Sequence, residues 1–384
     1  MNFEDFINPV SIEKPDEYYI NSNNTFGKNI KIHTPDEGID DLSVYEIAII
    51  GVPEDRNSHK QGASLAPDLV RKELYQLYTF GNLPKIIDLG NIKQGNTYKD
   101  TYVAITEVIT ELINNQVIVL LIGGTQDLTV PAFKAVEKSN KSINLVSIDS
   151  VIDLNKDVVK TNNDSYLNEI LLKKNSLFTH SSIGYQLYLN NYKNIELINN
   201  LSHNSVRLGD IRIKLQNFEP YARDADIVSF DMHAIRQSDS PAVSRPSPNG
   251  FYSEEACMMA RYCGNGFRLK VFGLFEMNPQ FDINDQTTRL TAQIFWHLIH
   301  GVATRKEEIP AAESKHFKTF IVGHNDMDYE ITFYKSVITE RWWMSVPDIS
   351  TNTEMIISCS QDDYDTACNH DIPDTWWKTF QKLN

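Results

Sequence analysis

The chain has 384 residues, with 36 Lys and Arg against 51 Asp and Glu, giving a formal net charge of −15. At 41% hydrophobic and 23% charged residues it belongs with globular proteins and not with disordered or fibrous ones, and a single core in a chain of this size removes roughly three quarters of the unfolded surface from water. The acidic balance excludes nucleic acid and anionic membrane as the main partner, since both reward clustered Lys and Arg; a cationic small molecule, a metal or a protein partner fits better.

The first ten residues, MNFEDFINPV, lack the basic head and apolar run of a signal peptide, and no later segment approaches the roughly 20 apolar residues of a membrane span, which predicts a cytoplasmic protein without membrane insertion. Residues 1–39, rich in Asn, Asp and Pro, read as an N-terminal arm wrapped on a core. From Glu46 the texture changes to short apolar runs: EIAIIGV, KIIDLG, VIVLLIGG, INLVSID, DIVSFD and LKVFGLFE. Consecutive apolar positions suit strands covered on both faces. Between them lie helical periods, as in Thr101 to Asn114, where Val103, Ile105, Val108, Ile109, Leu112 and Ile113 form one face. The alternation predicts one α/β domain over residues 40–305, doubly wound around a mostly parallel sheet of about eight strands. The runs FKTFIVG, YEITFYKS, RWWMSVP and EMIISCS then predict a β-rich C-terminal appendage over 306–384, built of antiparallel hairpins. Its Trp342, Trp343, Trp376 and Trp377 are read first as packing on the main domain, ahead of a partner surface. Cys257, Cys263, Cys359 and Cys368 match neither a zinc knuckle nor a redox pair and read as buried thiols.

In an open parallel sheet, ligands bind beyond the carboxyl ends of the strands. The strand ends here deliver Gln126 and Asp127 after a Gly-Gly pair, Asp149 and Asp153, Asp231 and His233, and Glu276 followed by Asn278. Carboxylates so placed are either helix N-caps or ligands, and several converging on one edge favour a site. Asp127 is either an N-cap or one more carboxylate in that pocket. His180, in HSSIGYQ, reads as a surface loop histidine.

Several segments carry a family resemblance by their order and spacing: GVPED from Gly51, GASLAP from Gly62 with Arg71, GGTQDLTVP from Gly123, Asp149 to Asp153, SFDMH from Ser229, SPNGF from Ser247, EMNP from Glu276, Asp282, and TTRLTA from Thr287. Over residues 46–302 the chain resembles the ureohydrolases: arginase, agmatinase and formimidoylglutamase. The resemblance implies an arginase-like fold, a homo-oligomer, and two manganese ions sharing a hydroxide that attacks an amidine or guanidine carbon. It places one ion on Gln126, Asp149, Asp153 and Asp231, and the other on two of those Asp residues together with Val151 and His233. Gln126, Val151 and His233 depart from the family's His, His and Asp. Four oxygen donors suit Mn²⁺, Mg²⁺ or Ca²⁺, whereas Val151 has no lone pair, so the expectation is no ion or a single divalent cation and not a full dinuclear centre. Glu276 matches the carboxylate that receives a planar substrate cation, with Asn278 beside it.

Three carboxylates a few ångströms apart repel by about 4 kcal/mol per pair at ~4 Å and an effective dielectric of about 20. A cation, a bound proton, a protonated His233, or an inserted Arg236 or Arg245 must offset that. The reading is therefore a ureohydrolase-fold protein with a degenerate manganese site that binds a small molecule or a protein partner. The alternative is an active amidinohydrolase using one metal ion, with His233 and Glu276 as catalytic groups.

Overall fold

The computed structural model describes residues 3–11, 23–39, 41–158, 160–173, 175–310, 314–323 and 330–384. Two short pairings come from the N-terminal arm: β1 (Ile7–Asn8) and β2 (Lys31–Ile32). The six apolar runs are strands: β3 (Ile47–Gly51), β4 (Ile86–Ile92), β5 (Ile118–Ile122), β6 (Ile143–Ile148), and, after two further strands, β9 (Ile227–Asp231) and β10 (Val271–Phe275). Every residue of β3, β5, β9 and β10 is buried, which is why these runs are continuously apolar. β7 (Leu177–Tyr185) and β8 (Asn204–Arg207) complete eight parallel strands in the order β4-β3-β5-β10-β9-β6-β7-β8. β1 and β2 both pair with the outer edge of β4, antiparallel and parallel respectively. Part of the arm, residues 12–22, lies outside the described residues.

Two apolar clusters cover the faces of the sheet. The helix Tyr98–Asn114 starts at a capping box between Thr97 and Asp100. It buries Ile105, Val108, Ile109 and Leu112 as expected, but Val103 is 57% exposed and Ala104 takes its place on the packed face. Among the described residues, no helix is long and apolar enough to cross a membrane.

Chain order in the sheet explains where a ligand can enter. After β5 the chain founds the far half of the sheet at β6, and only later returns to fill the gap with β9 and β10. The carboxyl ends of β5, β10, β9 and β6 therefore lie side by side around a crevice. Glycines bring the loops close there. A Cβ on Gly124 would meet the Glu54 carbonyl oxygen at 1.9 Å, and one on Gly51 would meet Asn91 Oδ1 at 1.9 Å. Asp55 ties the GVPED and GASLAP segments together, its Oδ2 accepting from the N–H groups of Gly62 (2.7 Å) and Ser64 (3.1 Å).

The C-terminal runs form a separate antiparallel sheet of β11 (Phe317–Gly323), β12 (Glu330–Ser336), β13 (Trp342–Asp348) and β14 (Thr353–Cys359). Two helices join the expected β-rich appendage, Gln361–Cys368 and Asp374–Leu383, and close its core. Trp342 stacks on Tyr364, and Trp376 donates from Nε1 to the Ser345 carbonyl at 2.8 Å. The sheet docks on the main domain through Arg223, which lies over the Trp343 ring and donates to the Trp342 carbonyl, and through Asp224, which accepts from Ser358. Trp377 is 40% exposed. Cys257, Cys263 and Cys359 are buried free thiols, whereas Cys368 is exposed, against expectation, because it ends a surface helix.

Candidate metal centre and cleft

Asp149 follows the last residue of β6 and Asp231 ends β9. Each fixes one oxygen locally. Asp149 Oδ1 accepts from the Val151 N–H at 3.0 Å, and Asp231 Oδ1 accepts from the His233 N–H at 2.6 Å. These short side-chain turns aim the second oxygens inward. With Asp153 they form a buried group whose ligand atoms all lie within 4.8 Å of one another. Burial, then the neighbouring Asp231 charge, pushes the Asp149 carboxyl well above the ordinary range; burial, then Asp149, does the same to Asp153.

Gln126 stands opposite the three carboxylates, and its amide can be set in two ways. With nitrogen inward it donates to Oδ2 of Asp153 at 2.8 Å and to Oδ2 of Asp149 and Asp231 at 3.2 Å each, while its oxygen accepts from Ser229 Oγ at 3.2 Å. With oxygen inward, Nε2 instead donates to Ser229 Oγ at 3.2 Å and Oε1 becomes a fourth oxygen facing the cluster. Ser229 can serve either setting because its hydroxyl is both donor and acceptor. Four buried oxygen donors fit one hard divalent cation.

At the positions that the resemblance gives to a second ion, the donor set is different. Val151 offers only a hydrocarbon side chain. His233 is turned back on Asp231, with Nδ1 2.8 Å from Oδ1 and Nε2 3.1 Å from Ser244 Oγ. Burial alone would push this imidazole down, but the Asp231, Glu276 and Asp149 carboxylates reverse the sign and hold it at about 9. The carboxylates that would draw a second cation thus favour a proton on this imidazole instead.

Neither arginine enters. Arg236 pairs with Asp239 at 2.8 Å and lies over the Tyr252 ring, and Arg245 pairs with Asp164 at 3.1 Å with its side chain largely exposed. The offsets left are a cation, bound protons, His233 and the Gln126 amide.

Glu276 follows β10 with φ +65°, a left-handed conformation that costs a residue with a Cβ of order 1 kcal/mol or more. That conformation turns its side chain back across the crevice. Oε1 accepts from the Gln126 N–H at 2.9 Å, at the start of a helical segment where a negative charge is favoured, and from Asn163 Nδ2 at 3.3 Å. Burial and the nearby Asp231 raise its carboxyl to about 8. It does not cap the turn that follows. Asn278 does that, accepting from the Gln280 N–H at 3.1 Å, and its amide donates to the Gln61 carbonyl at 3.1 Å. With both polar ends spent on backbone, Asn278 holds the loop and is not among the residues that line the cleft.

The cleft above the cluster has a volume of about 580 Å³ and is walled by Asp149, Val151, Asp153, Asn163, Asp231, His233, Glu276 and the Ser244–Asn249 loop. Asp127 belongs elsewhere. Its carboxylate accepts from Thr125 Oγ1 at 2.6 Å, Asn57 Nδ2 at 2.8 Å and the Tyr102 hydroxyl, facing a neighbouring cavity, so it is neither an N-cap nor a member of the cluster. His180 is fully buried within β7, not in a surface loop, with Nε2 3.0 Å from Ser147 Oγ. Ser229, Ser244 and Asn163 were missed by sequence reasoning. Ser229 lies inside the SFDMH motif and was reachable from it; Ser244 and Asn163 sit in loops whose spacing carries no signal.

The family model of the arginase family matches residues 45–301. Among curated relatives, formimidoylglutamase of Photorhabdus laumondii is 23% identical over 270 residues, covering 66% of this chain and 85% of its own, and that of Macrococcus caseolyticus is 24% identical over 274 residues, covering 67% and 85%. Among solved structures, Trypanosoma cruzi formiminoglutamase with Mn²⁺ superposes with a TM-score of 0.65 at 21% identity, covering 70% of this chain and 97% of that one. Bacillus subtilis formimidoylglutamase gives 0.67 at 18% identity, covering 77% and 97%. At these identities the superpositions establish the fold, and the match over more than half of the residues establishes the rest: the chain belongs to the arginase family.

Proposed function

We propose that this protein holds at most one divalent cation, on Asp149, Asp153, Asp231 and the oxygen of Gln126, and uses the cleft to bind a cationic small molecule against Glu276 without the hydrolysis that a shared hydroxide between two ions performs. The observation that carries this reading is the pairing of Val151 with a His233 folded onto Asp231, which leaves a second ion no ligands of its own. A bound ion would supply Lewis-acid polarisation. The chain's own residues do the rest. Glu276, fixed by Gln126 and Asn163, gives up its proton and presents a carboxylate when an amidinium or guanidinium beside it lowers its raised titration, and His233 stands at the cleft wall as a proton holder.

Metal content after purification with Mn²⁺ and extensive dialysis tests the reading. One ion per chain or none is expected, with no formamide or ammonia released from N-formimidoyl-glutamate and no urea from guanidino acids. The double change Val151→His with His233→Asp is expected to raise the stoichiometry by one. Two ions in the unaltered protein together with product release would overturn the proposal in favour of an active amidinohydrolase.

A further inference from the structure

A second cavity, of about 420 Å³, lies far from the metal centre, where the amino-terminal ends of β6, β7 and β8 meet the C-terminal helices. Lys382, from the helix Asp374–Leu383, projects into it. Its Nζ donates to Thr179 Oγ1 at 3.0 Å and lies 3.4 Å from His203 Nδ1. That nitrogen also accepts the His180 backbone N–H at 3.1 Å, so it carries no proton and the ring is neutral. Among the described residues no carboxylate pairs with Lys382, and the nearest charge acting on it is another cation, Lys378, itself paired with Asp374 at 2.6 Å. The ammonium also lies over the Phe178 ring, 5.4 Å from its centroid; burial lowers it to about 7, as expected of a cation whose partners, a hydroxyl, an imidazole and an aromatic face, carry no negative charge.

The opposite wall is acidic but already engaged. Asp224 accepts from Ser358, Asp362 from Lys214 and Asn217, and Asp363 from Ser360. These carboxylates repel a second negative charge, and so select a ligand with one anionic head and a cationic or neutral tail.

We propose that this cavity binds a small organic monocarboxylate of the amino-acid class, its carboxylate seated on Lys382 and Thr179 and its amine facing the acidic wall. Such a ligand would bridge the main domain and the appendage, since Thr179 belongs to one and Lys382 to the other.

Calorimetric titration of the full chain with β-alanine, 4-aminobutyrate and 5-aminovalerate, with acetate and inorganic phosphate as comparison anions, tests the proposal. At least one amino acid of the series is expected to bind more tightly than acetate or phosphate. Binding is expected to weaken about tenfold or more in Lys382→Met and in Thr179→Val, with thermal stabilisation by the ligand lost in parallel. The second variant keeps the test sharp if the first does not fold. Phosphate binding more tightly than every carboxylate, affinity unchanged in both variants, or no binding at millimolar concentrations would each overturn the proposal. None depends on metal at the other site.

Discussion

Two groups of charges are buried to the same depth in this molecule, and they are treated in opposite ways. Arg71 and Asp88 are fully buried, and their mutual pair is saturated. Arg71 Nε reaches both oxygens of Asp88 at 2.9 and 3.1 Å, its other nitrogens reach Asp68, Asn91 and the Gly90 carbonyl, and Asp88 further accepts from the Tyr75 hydroxyl and the Gly90 N–H. The Asp149, Asp153 and Asp231 group sets three carboxyls too close together to ionise freely, with one imidazole and one amide to answer them. The first is a closed account of charge that serves the fold. The second is an open one, and its excess is where a ligand would act.

The comparison is broken most forcefully at the closed pair. Asp88→Leu strands a buried guanidinium and is expected to cost about 3–5 kcal/mol, read as a lowered urea midpoint; a change below about 1 kcal/mol would mean that Arg71 finds water or another partner. At the open cluster the largest effect should be a gain. Mn²⁺ or Mg²⁺ at a hundred times its dissociation constant is expected to stabilise the folded chain by about 2.7 kcal/mol, visible as a higher Tm, and an unmoved Tm would count against cation binding.

Acidity gives a third handle. Glu276 is raised from 4.5 to about 8 and His233 from 6.5 to about 9. Both hold protons more tightly folded than unfolded, so each contributes stability that is complete below its unfolded value and lost as pH rises through its folded one. Chelator-treated protein should therefore lose stability steadily between about pH 4.5 and 9, and saturating divalent cation should flatten the slope. A flat profile without cation would remove the charge excess from the argument. The smallest effect is expected from Asp153→Asn, which removes one of three crowded carboxyls. Because burial and Asp149 already favour a proton on Asp153, the gain in the chelated protein should be only about 1 kcal/mol, well under the ~4 kcal/mol of a fully ionised pair, and the response to added cation should be abolished, so a variant that keeps that response would show the ion is held elsewhere.

Sequence patterning revealed six strands because each carries an apolar run, and it revealed the aspartate cluster because Asp149 and Asp231 stand at the ends of two of them, with Asp153 in the loop just beyond Asp149. It missed β7 and β8 because Ser181, Ser182, Gly184 and Asn204 lack the apolar signature; they pair at the sheet's periphery because β6 offers them an edge. It placed His180 in a loop for the same reason. The helix Gln361–Cys368 was legible in principle from its Ser360 and Asp363 capping box, but the aromatic runs before it drew the reading toward strands. Gln126 was assigned as a ligand by position, and position says nothing about which end of an amide faces inward. Ser229, a hundred residues away in sequence, accommodates either end, so the choice follows what the three carboxylates hold between them. Asn278 meets the same limit: its neighbours in the chain suggest a substrate contact, while its hydrogen bonds belong to the loop at Gln61.

The two short strands of the arm also bear on how copies of this chain can meet. β1 covers Asn91 and Ile92 of β4, β2 covers Ile87 and Asp88, and the Gly90 carbonyl between them is taken by Arg71. An uncovered edge of this length would be a template for strand addition from another molecule. With these backbone groups engaged, β4 itself is closed to strand addition, and a neighbouring copy approaching that side would meet the arm and not the long central strand.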